Sequence, residues 1–268
     1  MSGSPTVELT DVVKRFRVGH LVHDALRGVS LSVDRRSRIG IVGESGSGKS
    51  TLVRILLGLE HPSDGQIAFR GRPMARLTKE RRRDFRRTVQ LVGQDTSSSF
   101  DPLRTLRDSV RRPAMQLRGM NKAIADAAVD DMLRQLNLDP ALADRRPDKV
   151  SGGQRQRFAI ARALIVEPEV IVCDEAVSAL DVSVQGAVLN LLKDICEQRE
   201  AGLVFVSHGL PATAFIADEL IVMHEGLIVE RGSVGQIMSA AEHPYTQRLI
   251  GAYRATSGDV LGTLESGA

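Results

Sequence analysis

Hydrophobic positions change their period several times along this chain, and each change marks an element. Residues 6–16 and 25–34 read as early strands, arranged as an antiparallel pair. Arg38-Ile-Gly-Ile-Val-Gly43 is a buried strand that enters a glycine-rich loop. A helix from Ser50 to Leu59 follows and ends at His61-Pro62-Ser63-Asp64-Gly65. From Ser97 to about Lys149 the apolar spacing is helical, as in Ala123, Ala127, Met132, Leu133 and Leu136, and no strong strand interrupts it, which predicts an inserted helical subdomain. Strand and helix then alternate again: helix Gln154 to Val166 stopped by Pro168, strand Val170 to Cys173, helix Val182 to Arg199, strand Leu203 to Ser207. Short β-rich runs between longer helical ones predict an α/β layer structure with a mostly parallel sheet. The closing stretch, Thr256 to Ala268, is small and polar and is expected to fray.

Composition narrows the class. A chain of 268 residues that is 42% apolar can bury a substantial core, and it suits one large domain or a domain with an insertion. Apolar runs such as Val170 to Cys173 and Leu203 to Val206 are far shorter than the roughly 18 residues of a membrane span, and the N-terminus lacks the basic start and apolar stretch of a secretory signal, so the expected location is the cytoplasm. Cys173 and Cys196 have no C-x-x-C spacing and predict packing residues, not a zinc site, a cluster or a disulfide framework. The net charge is only +3, and the basic run Arg81 to Arg87 is broken by Asp84 and Phe85. That pattern predicts a solvated helix face, with no nucleic-acid partner.

The chemistry begins at Gly43-Glu44-Ser45-Gly46-Ser47-Gly48-Lys49-Ser50, followed by Thr51, which matches G-x-x-x-x-G-K-[ST] between a strand and a helix. Glycines let the backbone wrap a phosphate, the N–H groups and the helix N-terminus favour anionic oxygens, Lys49 can reach the terminal phosphates and Ser50 can ligate magnesium. Such a loop serves kinases, GTPases, helicases and transport motors alike, so it defines the ligand class and not the job. Val170-Ile-Val-Cys-Asp174-Glu175 adds an apolar strand ending in two carboxylates, Asp174 as a magnesium candidate and Glu175 as the base that polarises water. Ser151-Gly152-Gly153, at the head of a helix with Phe158, Ala161, Leu164 and Ile165 at helical spacing, forms either a second anion site or a plain cap and turn. A second phosphate-reading element makes sense if two chains share each nucleotide.

Together these motifs make the chain resemble the nucleotide-binding subunit of an ATP-binding cassette (ABC) transporter over nearly its whole length. Gln94 in Leu-Val-Gly-Gln-Asp-Thr matches the family's glutamine loop, Ser178-Ala-Leu-Asp181 its D-loop, and His208 in Val-Phe-Val-Ser-His its switch histidine. The resemblance implies a P-loop NTPase (RecA-like) core with a mostly parallel sheet, an N-terminal antiparallel β subdomain and an inserted α-helical subdomain. The implied divisions are a core of about 5–95 and 159–235, a helical part of about 96–158 and a C-terminal extension, 236–268. It implies ATP and Mg2+ as cofactors, with Phe16 stacking on adenine, the loop from Gly43 to Thr51 on the phosphates, and Ser50, Gln94 and Asp174 at the metal. Glu175 would activate water, His208 would contact the γ-phosphate, and Gln94 would report metal occupancy to the helical subdomain. ATP would lie between this loop and Ser151, Gly152, Gly153 and Gln154 of a second ABC ATPase subunit, as a homodimer or heterodimer.

Asp174-Glu-Ala-Val-Ser-Ala-Leu-Asp-Val-Ser-Val-Gln185 and His243-Pro-Tyr-Thr246 are similar to segments of peptide and nickel importers. This resemblance implies a motor on the cytoplasmic face of the cell membrane, gripping separate transmembrane permease subunits through the region near Ser97-Ser-Ser-Phe-Asp-Pro102 and served indirectly by a substrate-binding protein. A soluble ABC ATPase that drives no transport, such as an accessory subunit of a phosphonate-degrading complex, is the alternative. Gly93, Thr96 and Gly209 depart from the subfamily pattern, where Phe, Pro and Asp are usual, and none of the three removes a catalytic group.

Overall fold

The structure, a computed structural model, describes residues 4–19, 21–94, 99–177, 180 and 182–257. Strands β1 (Val7–Val18) and β2 (Leu21–Val33) form a long antiparallel hairpin that turns Val7, Leu9, Val12, Leu26, Val29 and Leu31 inward. Next come β3 (Arg38–Val42) and α1 (Lys49–Leu56). The helix ends earlier than its apolar spacing predicts, because Gly58 takes φ 64° and Leu59 N–H donates back to Arg54 O at 2.8 Å, which closes the last turn. Strands β4 (Asp64–Phe69) and β5 (Arg72–Pro73) complete an antiparallel sheet of order β2-β1-β4-β5.

Helix α2 (Lys79–Thr88) carries the basic run. Thr78 caps it, Phe85 turns inward to meet Phe69 edge-on at 5.3 Å, and most of its arginines face solvent. Strand β6 (Val89–Val92) follows directly. At four residues beside so charged a helix, it is too short for its hydrophobic pattern to predict a strand. Then come α3 (Leu106–Arg118), α4 (Lys122–Gln135), two short 3-10 turns, and α5 (Gly152–Leu164), which runs unbroken past residue 158. The remainder is β7 (Val170–Asp174), α6 (Val182–Gln198), β8 (Gly202–Val206), α7 (Leu210–Ile216), β9 (Glu219–His224), β10 (Leu227–Ser233), α8 (Val234–Ala240) and α9 (Pro244–Ser257). Thr256 and Ser257, expected to fray, belong to the last turn of α9, while 258–268 lie outside the described residues.

Among the described residues a second sheet has the order β10-β9-β3-β8-β7-β6, parallel throughout except for β10. Alternation along its strands separates two cores. Val170 and Val172 of β7 and Val204 and Val206 of β8 pack with α1 and the antiparallel sheet. Ile171, Cys173, Leu203 and Phe205 face the other way, toward α3, α4, α5 and α6. Both cysteines are buried and free, as their spacing predicts, and burial pushes the Cys173 thiol well up and that of Cys196 to about 11. No described helix is long and apolar enough to cross a membrane.

Candidate nucleotide site

The strand order determines what meets at the carboxyl edge of the parallel sheet. β3, β8, β7 and β6 are neighbours that run the same way, so the segments leaving them emerge side by side: Gly43 after β3, Ser207 and His208 after β8, Asp174 and Glu175 at β7, Gly93 and Gln94 after β6. This edge is where open α/β sheets bind ligands.

Gly48 holds φ 102° as the cap of α1 and lies against Ala25 O, so any side chain there is both strained and blocked. The loop is anchored by Gly226 N–H to Ser47 O at 3.1 Å, and Arg27 N–H in turn donates to Gly226 O at 2.9 Å. Lys49 is buried, and its ammonium donates to Gly43 O and Glu44 O, both at 2.7 Å, and to Ser47 Oγ at 3.4 Å. Burial lowers its pKa, while the nearby charges of Glu175, Asp174 and Glu44 oppose that shift.

Asp174 Oδ1 is buried and has no hydrogen-bond partner among the described residues. Burial raises its pKa and the adjacent Glu175 raises it further, against the pull of Arg54, Lys49 and His208. An orphaned anionic oxygen of this kind fits a hard divalent cation. Glu175 takes φ 52°, held by its N–H donating to Val206 O at 2.8 Å, and His208 Nε2 contacts Glu175 Oε1. The Glu175 side chain is 12% exposed and that of His208 49%, so the imidazole stands on the solvent side of the carboxylate.

A cleft of about 240 Å3 is lined by Phe16, His23, Ala25, Ser45, Gly46, Gly48, Lys49, Ser50, Thr51, Glu175 and His208. Phe16 lies directly opposite His23 across the β1–β2 ladder, with Lys14 over its ring at 5.0 Å. No motif in the sequence singles out His23 and Ala25 as lining residues. The signal that could have found them is the pairing of β2 against the Phe16 strand. Gly43 and Glu44 at the start of the loop, buried Ser47, Asp174 and exposed Gln94 are not part of this lining. Ser178, Ala179 and Asp181 of the D-loop lie outside the described residues, as do Ser97 and Ser98.

Ser151, Gly152, Gly153 and Gln154 do not line the cleft either. They open α5 in a capping box: Ser151 Oγ accepts Gln154 N–H at 3.2 Å, and Gln154 Oε1 accepts Ser151 N–H at 2.9 Å. The cap is therefore real, yet it leaves the Ser151 hydroxyl proton and the first N–H groups of the helix able to donate. Ser151 and Gly152 are exposed.

Fold and site define a nucleotide-binding cassette, and the sequence comparison agrees: the ABC transporter family matches residues 26–178, and this chain belongs to that family of ATP-hydrolysing cassettes. It is 41% identical over 220 residues to the nickel import ATP-binding protein NikE of Shigella dysenteriae, covering 82% of each chain. It is 39% identical over 241 residues to the di/tripeptide transport ATP-binding protein DppF of Pseudomonas aeruginosa, covering 90% of this chain and 75% of that one. The ATP-binding cassette MJ0796, solved as a dimer in a post-hydrolysis state bound to ADP and Pi, superposes with a TM-score of 0.77 at 29% identity, over 85% of this chain and 98% of its own.

Proposed function

We propose that the chain is the ATP-hydrolysing motor of a peptide or nickel importer, and that its site is completed by a second cassette. The observation that supports this best is the division of phosphate-reading groups. Lys49, Asp174, Glu175 and His208 gather at one sheet edge, while the exposed head of α5 offers donors away from the cleft. In this reading adenine lies on Phe16 and the triphosphate lies along the loop Gly43, Glu44, Ser45, Gly46, Ser47, Gly48, Lys49, Ser50 and Thr51. Lys49 leaves its two carbonyl acceptors for the terminal phosphates.

Ser50, Asp174 and Gln94 would hold Mg2+, which neutralises phosphate charge when bound. Glu175 accepts the proton of the attacking water, and His208 holds Glu175 on one side and the γ-phosphate on the other. Ser151, Gly152, Gly153 and Gln154 of the second cassette donate to the same phosphate, so that hydrolysis and phosphate loss remove the shared anion and release the pair.

The working division is a core of about 5–95 and 159–235, a helical part of about 96–158 that grips transmembrane permease subunits, and an extension, 236–268. The chain would sit on the cytoplasmic face of the membrane, with a substrate-binding protein supplying cargo from the other side. The relatives named above support the importer reading. Co-purification tests it: tagged chain extracted from membranes should bring down multi-spanning permease subunits and a magnesium-dependent ATPase activity, whereas recovery in an exclusively soluble complex would contradict transport.

A further inference from the structure

The segment His243-Pro-Tyr-Thr246 opens α9, and its tyrosine reaches the phosphate loop. Tyr245 is 3% exposed, and its hydroxyl accepts the N–H of Glu44 at 2.9 Å. The same peptide unit is held at its other edge, because the carbonyl of Gly43 accepts from Lys49 Nζ. One side of this peptide plane is thus gripped by the lysine that answers to nucleotide, and the other by the C-terminal helix.

Topology explains how a residue so distant in sequence arrives there. β9 runs parallel to β3, with Val42 beside Val222, so the end of β9 lies next to the start of the loop. His224 at that end stacks on Tyr245, with ring centroids 4.0 Å apart and an interplanar angle of 21°. Glu230 of β10 fixes the head of α9 by accepting the N–H groups of Glu242 at 2.8 Å and His243 at 3.1 Å, and His243 Nδ1 accepts Tyr245 N–H at 3.2 Å. Val42 and Tyr245 share one core cluster with Leu210, Val222 and Ile250. Burial keeps the phenol protonated by raising its pKa.

We infer that Tyr245 is a positioning residue for nucleotide binding: its hydroxyl fixes the Gly43–Glu44 peptide when Lys49 turns to the phosphates, and so keeps the loop preorganised. This inference rests on ATP binding at the phosphate loop. Without the hydroxyl, the peptide loses its second anchor at the moment the first one leaves, and ordering it again weakens binding without touching the chemical step.

The test is Tyr245→Phe in the full chain, read by calorimetry with ATP and magnesium, by steady-state ATPase kinetics and by amide hydrogen exchange. Tyr245→Phe keeps the ring, its stacking and its burial, and should raise the Kd for ATP about 3- to 10-fold, the effect of one buried hydrogen bond, with kcat unchanged within about twofold. In the same variant the Glu44 amide should exchange its hydrogen faster than in the parent with ATP bound, because its acceptor is gone. Unchanged affinity in Tyr245→Phe, a fall in kcat at constant Kd, or unchanged exchange at the Glu44 amide would overturn the inference. Failure of the parental chain to bind ATP would instead strike the nucleotide reading on which it rests.

Discussion

Glu175 occupies the left-handed region at φ 52°, a conformation that costs a non-glycine residue on the order of 1 kcal/mol or more and persists only where surrounding structure enforces it. Here the enforcing contacts are its N–H to Val206 O and its carboxylate to His208, which turn the acid back over the cleft. Glu175→Gln should therefore keep ATP binding while lowering turnover by at least about 100-fold, as expected for a lost general base. Parental turnover in that variant would remove Glu175 from the role. Lys49→Ala should weaken ATP binding by about 100-fold, since charge-assisted contacts to phosphate are lost, and calorimetry would detect it. Asp174 carries the opposite bias. Its pKa is raised, so protonation favours the folded state, and its charge becomes a destabilising load as the pH rises from the ordinary 3.8 through its folded value. Asp174→Asn should then melt at or above the parental temperature at neutral pH without nucleotide, by about 2–4 °C for each kcal/mol relieved, with the gain vanishing toward acid pH. A lower melting point at neutral pH, measured by calorimetry, would contradict this. The loop from Gly43 to Thr51 and the Asp174-Glu175 pair were legible in the sequence because each is contiguous. His23 and Tyr245 were not, because the first depends on strand register and the second on a packing contact between residues 201 positions apart.

At the scale of elements, α5 separates folding from pairing. A side chain added at Gly152 meets none of the described residues within 4 Å, whereas a Cβ at Gly153 would lie 2.8 Å from Val184 Cγ1 of α6. Gly152→Asp should leave the stability of the isolated chain within about 0.5 kcal/mol while abolishing nucleotide-dependent pairing, whereas Gly153→Ala should cost about 1–3 kcal/mol by overpacking. Denaturant unfolding beside chromatography with ATP separates these two outcomes. Elements with an undisturbed period, such as β3, β7, β8 and α6, were read close to their observed bounds. β6 is hidden behind a charge-dense helix, and β10 is masked because it lies half-exposed at the sheet edge and carries Glu230 and Arg231 in its midst.

Over the whole molecule, the α/β class, the antiparallel N-terminal sheet and the inserted helices were legible because local period and motif order agree with the global fold. The proposed second half of the site was legible only as an alternative: Ser151-Gly152-Gly153 serves as the cap of α5, and a second phosphate-reading role follows only if two chains share the nucleotide. The structure sharpens that alternative into geometry, with a capped, solvent-facing helix head outside the cleft it would serve. The central claim is that ATP joins two cassettes. Light scattering on Glu175→Gln with ATP and magnesium tests it most directly. The account expects a species of twice the 29.1 kDa chain mass that persists with ATP and separates when ATP is removed. A variant that binds ATP yet remains at the mass of one chain would contradict it.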